Sequence, residues 1–506
     1  MLPEDLQIIS VDDHVIEHPT VWTDRVPSKY ADAAPRIERA EDGNDWWIYE
    51  GAKAGNFALN AVAGKDPRDF GMDPRSYDDM LPGCYDVAQR IKDMDTEGIW
   101  AQLCFPNFGG FAGSTFAKSK DLGLASACVS AYNDFILDEW CAHDPARQIP
   151  LLTLPYWDVE ASVKEFNRTA PLGAKSYTFP ELPDRIGLPS WHTDHWDPIL
   201  ALCNESDIPL SLHFGSGGSP TVSPEGMSTN FVVAISLFAL NSVTTMTELL
   251  LSPVFHKFPK LRMALSEGGI GWMPYLLERL DYTWERHRWY NDVNREVSPG
   301  ELFARGHIGG CFISDEAGIE ARHRIGVDHI MFESDYPHSD SNWPNTRKIL
   351  VESMRDIPED EVRKMLEDNG RTFYDFPLSY CAVPDGSPPG PARPPPEYGG
   401  GGAGEHGLGH MGQPWTHFPA RRYGNAYRCT FRMSSGPRRI RNRSPWRGPV
   451  RTRRHISADQ ADRGGRLRHH GRRHHPGGRP DRHRGRRDRT HGGGRRGGPP
   501  AHRGRA

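Results

Sequence analysis

Eight short apolar segments, each followed by a polar loop and a stretch of helical periodicity, constrain the fold of this sequence more than any other feature. The segments occupy residues 7–12, 99–106, 149–155, 173–180, 208–214, 260–267, 307–314 and 329–335. The helical stretches between them include 86–97, 121–142, 159–167, 196–206, 231–251 and 273–288. Nearly continuous apolar strands that alternate with helices are typical of a parallel sheet covered by helices, and eight such units close a barrel. We therefore expect an α/β protein with a (β/α)8 TIM barrel.

Two regions depart from this repeat. Residues 19–79 form a long insertion after the first strand, rich in Trp, Pro, Gly and Asp, which we interpret as a lid or pocket wall over the mouth of the barrel. After the eighth strand, helices are expected at 344–354 and 359–368, and the ordered body is expected to end near residue 377. The barrel domain is accordingly assigned to residues 1–380.

The remaining residues, 381–506, have a composition that cannot form a hydrophobic core. They contain 28 arginines, seven Asp plus Glu and no lysine, so the net charge of −5 for the whole chain leaves −26 on residues 1–380. Because too few apolar side chains are present to offset the entropy lost on ordering, this tail is expected to be disordered. Its bias toward Arg, Gly, Pro and His also fits a second hypothesis, that the tail is a frameshifted or extended reading of a GC-rich gene.

Cysteine usage and hydropathy indicate the compartment. The eight cysteines are scattered without a Cys-x-x-Cys pair, and several lie in apolar segments, so we expect reduced packing residues. The amino terminus has no basic start followed by a long apolar region, and no segment approaches the roughly 18 uninterrupted apolar residues of a membrane span. A cytoplasmic protein with no membrane partner is therefore expected.

The first apolar strand runs directly into three ionisable residues, Asp12, Asp13 and His14. Side chains alternate between the two faces of a strand, so Asp12 and His14 should point the same way and Asp13 the other. In a (β/α)8 barrel the carboxyl ends of the strands hold the catalytic residues. A carboxylate and an imidazole are thus aimed at one point in the barrel mouth. The structural alternative is that this pair only caps a turn.

Three more predicted strands end in ionisable residues, namely His213 on the fifth, Glu267 on the sixth and Asp335 on the eighth. A barrel brings these ends around one axis. We therefore predict that one divalent cation is held by Asp12, His14, His213 and Asp335, with Zn²⁺ as the first choice and Mn²⁺ or Fe²⁺ as alternatives. Taken singly, His213 could be a buried histidine bonded to a carbonyl, and Asp335 a helix cap.

The segments SVDDHVIE, LSLHFG, LSEGGIGWMPYLLERLD and FESDYPHSDSNWPNT together resemble the amidohydrolase-related family, in the branch that includes aminocarboxymuconate semialdehyde decarboxylase and resorcylate decarboxylase. The resemblance spans residues 7–376. It implies a metal-dependent (β/α)8 barrel that hydrolyses small organic compounds or removes CO₂ from them. It also implies that His14, His213 and Asp335 are metal ligands, and that a homodimer is one expected assembly, since dimers are common among family members.

Two positions depart from the pattern of better-known relatives. Asp12 stands on the first strand where many relatives have His or Glu, and Glu267 ends the sixth strand where many decarboxylases of the branch have histidine. A histidine that donates a proton or hydrogen bond is thereby replaced by an acceptor that is usually ionised. The mechanism of any particular decarboxylase therefore does not transfer directly to this sequence.

The resemblance implies a metal-dependent hydrolase acting on a small carboxylic or aromatic substrate, in which Asp335 takes the proton from the attacking water. The alternative is a non-oxidative decarboxylase, in which an acid protonates the carbon that loses CO₂. Glu267 is predicted to contact substrate or to transfer protons, and His338 to orient a ligand or transfer protons. Their structural alternatives are an ion pair with arginine for Glu267 and a surface loop position for His338.

Two further classes of function remain as alternatives. One is a barrel that binds a ligand without catalysis. The other is nucleic-acid binding through the Arg-rich tail, by neutralisation of phosphates. The tail has neither an aromatic stacking repeat nor a folded nucleic-acid-binding motif, so no nucleic-acid partner is expected and a small-molecule substrate is the expected partner.

Overall fold

The computed structural model describes residues 2–54, 58, 60–71, 74–218 and 227–377. The strands in this part of the chain are β1 Ile8–Val15, β2 Arg36–Arg39, β3 Asp45–Tyr49, β4 Ala52–Lys53, β5 Ile99–Pro106, β6 Gln148–Ile149, β7 Leu151–Thr153, β8 Ser176–Thr178, β9 Leu210–His213, β10 Met263–Ser266, β11 Ile308–Phe312 and β12 Ile330–Phe332. The two predictions for the tail, disorder and a frameshifted reading, concern residues 381–506, which lie outside the described residues.

Each of the eight predicted segments contains a strand, and these strands are paired in parallel. One sheet has the order β1-β5-β6 and a second has the order β12-β11-β10-β9-β8-β7. The third predicted segment is divided between the two sheets at Pro150, which has no backbone N–H to donate. The prediction of an α/β protein built on parallel strands is therefore confirmed.

Main-chain hydrogen bonds join the first predicted strand to the residues that follow the eighth. The N–H of Asp335 donates to the carbonyl of Asp12 at 2.9 Å, and the N–H of His14 donates to the carbonyl of Tyr336 at 2.7 Å. The N–H of Ser334 donates to Ser10 Oγ at 2.9 Å. The carboxyl ends of these two strands consequently lie side by side.

Inward-facing side chains of the strands form a compact apolar cluster below these ends. Its buried members are Ile9, Val11, Ala101, Leu103, Phe105, Ile149, Leu151, Ala264, Cys311, Met331, Tyr374 and Phe376. Five of the twelve alternate along β1 and β5, as expected for residues on one face of a strand. Because the interior is filled, polar groups are left to the carboxyl ends of the strands.

Helices follow or precede most of the parallel strands. They are α1 Val87–Glu97, α2 Leu122–Phe135, α3 Cys141–His143, α4 Val159–Thr169, α5 Asp197–Ser206, α6 Met227–Ser236, α7 Phe238–Leu251, α8 Val254–Lys257, α9 Met273–His287, α10 Pro299–Phe303, α11 Glu316–Glu320, α12 Arg322–Ile325, α13 Thr346–Ser353, α14 Glu359–Arg363 and α15 Asn369–Phe373. Asp86 and Asp121 cap α1 and α2 by accepting backbone N–H groups of the first turn. The single helix predicted over 231–251 is two helices, because the backbone leaves helical geometry at Leu237.

The insertion after β1 contains a small antiparallel sheet of order β2-β3-β4. Its Trp47 ring and the buried Trp22 ring lie 4.7 and 5.1 Å from the ring of Phe108, in the loop after β5. The N–H groups of Val62 and Ala63 both donate to the Pro337 carbonyl at 3.0 Å. The insertion thus contacts loops that follow two of the parallel strands, while its role as a lid stays a prediction.

Two observations concern the cysteines and the hydropathy of the described residues. Cys84, Cys104, Cys128, Cys141, Cys203 and Cys311 are buried and free. Over the same residues, no helix combines the length and the hydropathy that a bilayer crossing requires. The cytoplasmic location stays a prediction.

Candidate metal centre

The carboxyl end of β1 presents Asp12 and His14 on one side and Asp13 on the other. Asp12 Oδ1 lies 3.5 Å from His14 Nε2. Asp13 Oδ1 instead accepts the N–H of Tyr336 at 3.0 Å. This division follows the alternation expected of a strand, although the pairing of β1 with β5 shifts register between Ser10 and Asp13.

The structure brings five of the six predicted site residues together, and the sixth, His338, lies beside them. His14 Nε2 lies 3.3 Å from Asp335 Oδ1 and 3.2 Å from His213 Nε2. His213 Nε2 lies 3.6 Å from both Asp12 Oδ2 and Glu267 Oε2. These five side chains, which we call the His14 cluster, are buried, and even the most exposed of them, Glu267, is only 6% exposed.

A hydrogen bond to the backbone fixes the tautomer of His213. Its Nδ1 lies 2.6 Å from the carbonyl oxygen of Phe214, so Nδ1–H donates to that carbonyl. The lone pair of a neutral ring is then on Nε2, which faces the cluster. Burial lowers the pKa of His213, which favours the neutral ring. This arrangement, with one nitrogen bonded to a carbonyl and the other free, is usual for a histidine that binds a metal.

Two members of the cluster have left-handed backbone conformations. φ is 56° at Glu267 and 57° at Asp335, a region that non-glycine residues rarely adopt. Each residue follows the end of its strand, and the turn redirects its side chain toward the cluster. Both carboxylate oxygens of Glu333 lie 3.1 Å from the N–H of Glu267 and hold this turn.

Burial sets the electrostatics of the carboxylates. It raises the pKa of Asp12 well above its ordinary value, and the neighbouring Glu333 and Glu267 raise it further. Burial likewise raises the pKa of Asp335 well above its ordinary value. For Glu267 burial also raises the pKa, but His213 and His338 outweigh it and the pKa lies below the ordinary value. The cluster therefore concentrates acidic groups that are unfavourable to ionise without a cation.

His338 lies beside the His14 cluster, on the loop after β12. Its Nδ1 is 2.8 Å from Asp335 Oδ1 and 3.8 Å from Glu267 Oε1. Burial lowers the pKa of His338, but these two carboxylates outweigh it and raise the pKa to about 10. The side chain is 7% exposed, so its interpretation as a surface loop histidine is wrong.

Unpartnered oxygen atoms test whether the cluster fits a divalent cation. Both carboxylate oxygens of Asp12 are buried and accept no hydrogen bond from the described residues, whereas Asp335 Oδ1 lies 2.8 Å from His338 Nδ1. Buried polar groups are almost always bonded, so such atoms indicate a missing positive partner. Two groups of side chains place ligand atoms within 4.8 Å of one another: Asp12, His14 and His213, and His14, Glu267, Asp335 and His338. The residues present fit a divalent cation.

A family model described as Amidohydrolase matches residues 22–376 of the chain. This chain belongs to the amidohydrolase family. The match covers most of the region that contains the parallel strands and includes His213, Glu267, Asp335 and His338. The family expected from the four sequence segments is therefore confirmed.

Solved structures agree with this amidohydrolase fold. An amidohydrolase from Mycobacterium avium subsp. paratuberculosis K-10 superposes with a TM-score of 0.57 at 20% identity, covering 73% of this chain and 99% of that chain. A 5-carboxyvanillate decarboxylase from Sphingomonas paucimobilis gives 0.51 at 17% identity, covering 73% and 99%. A 5-carboxyvanillate decarboxylase from Novosphingobium aromaticivorans DSM 12444, complexed with manganese and 4-hydroxy-3-methoxy-5-nitrobenzoic acid, gives 0.51 at 18% identity, covering 74% and 97%.

Three residues of this amidohydrolase that support the cluster were missed at the level of sequence. Phe111 covers His213, with ring centroids 3.8 Å apart. Glu333 holds the turn at Glu267. It lies two residues before Asp335 at the end of a strand, so the alternation of side chains along a strand could have predicted that both point toward the same site. Arg90 is fully buried and donates to the carbonyls of His14 and Gly83, each at 2.6 Å. The sequence feature that could have identified Arg90 is the position of this arginine on the buried face of α1.

A cavity of about 350 Å³ opens beside Glu267. Its walls are Ser236, Phe238, Ala239, Glu267, Gly268, Gly269, Ile313, Ser314, Asp315, Glu333 and Asp340. This volume lies within the range of small-molecule sites. Glu267 is the member of the His14 cluster that lines this cavity, so a ligand in the cavity contacts the edge of the cluster.

Proposed function

We propose that this member of the amidohydrolase family is a metal-dependent decarboxylase of a small organic acid. The observation that carries the proposal is the His14 cluster, in which three buried carboxylates and two imidazoles converge and both oxygens of Asp12 accept no hydrogen bond from the described residues. We further propose that the two parallel sheets close into a (β/α)8 barrel, because main-chain hydrogen bonds link Asp12 and Asp335 across the gap between them.

Two observations favour decarboxylation over hydrolysis, which was our first expectation. His338 Nδ1 lies 2.8 Å from Asp335 Oδ1, so an imidazole with a raised pKa sits at the edge of the cluster. Replacement of CO₂ by a proton requires such an acid near the reacting carbon. In addition, solved structures with similar folds include 5-carboxyvanillate decarboxylases.

Each side chain has a distinct role in this proposal. One divalent cation is held by Asp12, His14, His213 and Asp335; when bound, it supplies an electrophile for the carboxylate and adjacent hydroxyl of an acid substrate. Glu267 is a fifth candidate ligand, with Oε2 3.6 Å from His213 Nε2, and it belongs to the proton path, with Oε1 3.8 Å from His338 Nδ1.

The remaining side chain, His338, holds a proton on Nδ1 at the boundary between Asp335 and Glu267 and delivers it to the carbon that loses CO₂. The ring packs on His14, with centroids 3.9 Å apart, which keeps it in place during the transfer.

We propose Mn²⁺ as the metal. Three carboxylates against two imidazoles make a donor set suited to a hard cation, and carboxylate-rich sites suit Mn²⁺. A decarboxylase with a similar fold was solved with manganese. Zn²⁺, the first choice from sequence, lacks such support, and Fe²⁺ remains the other alternative.

Metal analysis and a substrate screen test this function. The purified full chain is stripped with chelator, reloaded with Mn²⁺, Zn²⁺ or Fe²⁺, and assayed for CO₂ release from small aromatic and unsaturated carboxylic acids. We expect one metal per chain and metal-dependent CO₂ release. His213→Ala should lose both while remaining folded by circular dichroism, because the interior cluster does not depend on the site. Full metal content in His213→Ala would contradict the assignment.

Hydrolysis is the second candidate, because the matching family model is described as Amidohydrolase and Asp335, 3.3 Å from His14 Nε2, is the candidate base for a water molecule. Glu267 separates the two reactions. In hydrolysis Glu267→Gln should mainly raise KM, since Glu267 only positions the substrate. In decarboxylation with Glu267 as part of the proton path, the same variant should lower kcat about 10²- to 10⁴-fold with metal content intact, and Glu267→His should restore part of it.

A further inference from the structure

The outward face of α9 carries an aromatic stripe made of Tyr275, Tyr282 and Trp289, which are 73%, 50% and 61% exposed. The three residues recur every seven positions and therefore lie on one side of the helix. Trp289 lies just beyond the end of α9, where the N–H of Arg288 still donates to the Trp284 carbonyl at 3.0 Å. The opposite side of the helix is buried through Met273, Leu276, Leu280 and Trp284. Large aromatic rings that stay exposed on such a helix mark a surface for another protein.

Four charged residues flank the aromatic stripe, and their order is symmetric in position and opposite in sign about Tyr282. Glu278 lies four residues before Tyr282, and Arg286 lies four residues after it. Arg279 lies three residues before Tyr282, and Glu285 lies three residues after it. All four side chains are exposed. Each charge thus has the opposite charge at the same distance on the other side of Tyr282.

The two arginines of this face form no ion pair with a carboxylate of the described residues. The guanidinium of Arg286 lies 3.4 Å from the ring centre of Tyr282 and donates to the Tyr282 carbonyl at 3.2 Å. The guanidinium of Arg279 lies 5.4 Å from the centre of the same ring. Arginines and exposed aromatic rings are the residue types that contribute most to binding at protein interfaces. Both arginines are therefore available to a carboxylate from another chain.

The two glutamates of this face have partners within the chain but stay accessible. Arg324 Nη2 lies 2.9 Å from Glu278 Oε2, and Arg288 Nη2 lies 3.3 Å from Glu285 Oε2. Ion pairs between exposed side chains contribute little to stability. Each carboxylate can therefore accept a second guanidinium without a large loss.

We infer that two copies of this chain pair antiparallel along α9, about a two-fold axis at Tyr282. In such a pair each residue faces the one at the same distance on the other side of the axis. The facing pairs are Glu278 with the partner's Arg286, Arg279 with the partner's Glu285, and Tyr275 with the partner's Trp289. A parallel pair would instead place each charge opposite its own copy, which is repulsive.

Charge favours a second copy over the chain's own tail as the occupant of this face. Residues 381–506 contain 28 arginines and seven acidic residues, so they would bring mainly like charge to Arg279 and Arg286. A second copy supplies both signs in the required order. The pairing needs neither metal nor substrate and does not depend on the proposed function.

Sedimentation velocity of the full chain over a concentration series tests the pairing. We expect a dimer for the wild type. Glu278→Arg alone or Arg286→Glu alone brings like charges together twice per dimer and should raise the dissociation constant at least about tenfold. The double variant Glu278→Arg/Arg286→Glu restores both pairs with exchanged signs and should return it to within about threefold of wild type. Arg355→Glu, at an exposed arginine after α13, is the matched control and should leave it unchanged.

Chemical cross-linking tests the position of the axis. In a full chain with Cys381→Ser and Cys429→Ser, the six remaining cysteines are buried, so an introduced cysteine at the surface is the accessible one. A short bismaleimide should join two Tyr282→Cys chains. It should not join two Tyr275→Cys chains, because these residues would lie about 21 Å apart along the paired helices.

Four results would overturn the inference. They are a wild type that stays monomeric at the highest concentration, a dimer that the single charge reversals do not weaken, a double variant that remains as weak as the single variants, and equal cross-linking through Tyr282→Cys and Tyr275→Cys. Circular dichroism of each variant confirms that a weakened dimer consists of folded chains.

Discussion

Replacing Asp12 by asparagine should have opposite effects on stability in the metal-free and metal-loaded protein. In the metal-free protein Asp12 is fully buried, and neither of its oxygens accepts a hydrogen bond. At neutral pH this burial lowers stability by about 1–3 kcal/mol or more, because the folded protein must hold a proton that the unfolded chain releases. Asparagine has nearly the same shape and no charge, so metal-free Asp12→Asn should be more stable than metal-free wild type by about that amount.

The metal-loaded proteins should show the reverse order. A ligand that binds only the folded state adds about 2.7 kcal/mol at 100 times its dissociation constant. Wild type gains this stabilisation, and Asp12→Asn, which lacks one anionic ligand, loses most of it. The pH dependence follows from the raised pKa of Asp12. Above the ordinary pKa of aspartate the unfolded chain releases a proton that the folded protein retains, so metal-free wild type loses stability as pH rises. The free energy of unfolding of metal-free wild type should therefore equal that of metal-free Asp12→Asn below about pH 3.8.

Differential scanning calorimetry at neutral pH, with chelator and with excess Mn²⁺, measures both differences. Asp13→Asn is the control, because Asp13 is the adjacent carboxylate on the opposite face and accepts the N–H of Tyr336. This control should retain the stabilisation by metal. The reasoning is refuted if Asp12→Asn is destabilised equally with and without metal, because Asp12 would then be a structural residue and not a ligand.

Three further predictions address the backbone, the support of β1 and the tail. At Glu267, where φ is 56°, Glu267→Gly should be about 1 kcal/mol more stable than Glu267→Ala in urea denaturation, whereas the same pair at Ser266 within β10 should show the opposite order. Arg90→Met should lower the free energy of unfolding by about 3 kcal/mol or more, because the carbonyls of His14 and Gly83 lose a buried donor; a change below 1 kcal/mol would contradict this. Deletion of residues 381–506 should leave Tm and CO₂ release nearly unchanged, and a fall in Tm of several degrees would show that the tail packs on the body.

Periodicity was sufficient to find the parallel strands and the residues that meet at their ends. The eight apolar segments each contain a strand because strands buried on both faces are recognisable as apolar runs between breakers. Alternation along β1 placed Asp12 and His14 together. The same rule placed Asp13 apart from them. These inferences needed only local geometry and the rule that parallel strands end at a common face.

Features that depend on tertiary contacts were not accessible in the same way. The break at Leu237 follows no proline or glycine, so helical periodicity continued through it. Arg90 is an arginine in an amphipathic helix, and its sequence does not show that it bonds to the His14 carbonyl. His338 lies on a loop, where neither burial nor the contact with Asp335 has a periodic signature. In each case the partner that decides the structure is distant in sequence.

The distribution of strained and unsatisfied groups supports a functional interpretation of the cluster. Among the other described non-glycine residues with positive φ, Asp207 ends α5, Glu50 lies in the turn between β3 and β4, and Asn60 and Asp375 lie outside the helices and strands. Glu267 and Asp335 are different, because both are buried and follow the ends of parallel strands. Such conformations cost about 1–3 kcal/mol each. Beside them lie the two oxygens of Asp12, which accept no hydrogen bond from the described residues. Glycine or apolar residues at these positions would improve packing alone. The arrangement therefore requires a ligand that interacts with all of these carboxylates at once. A divalent cation is the simplest such ligand.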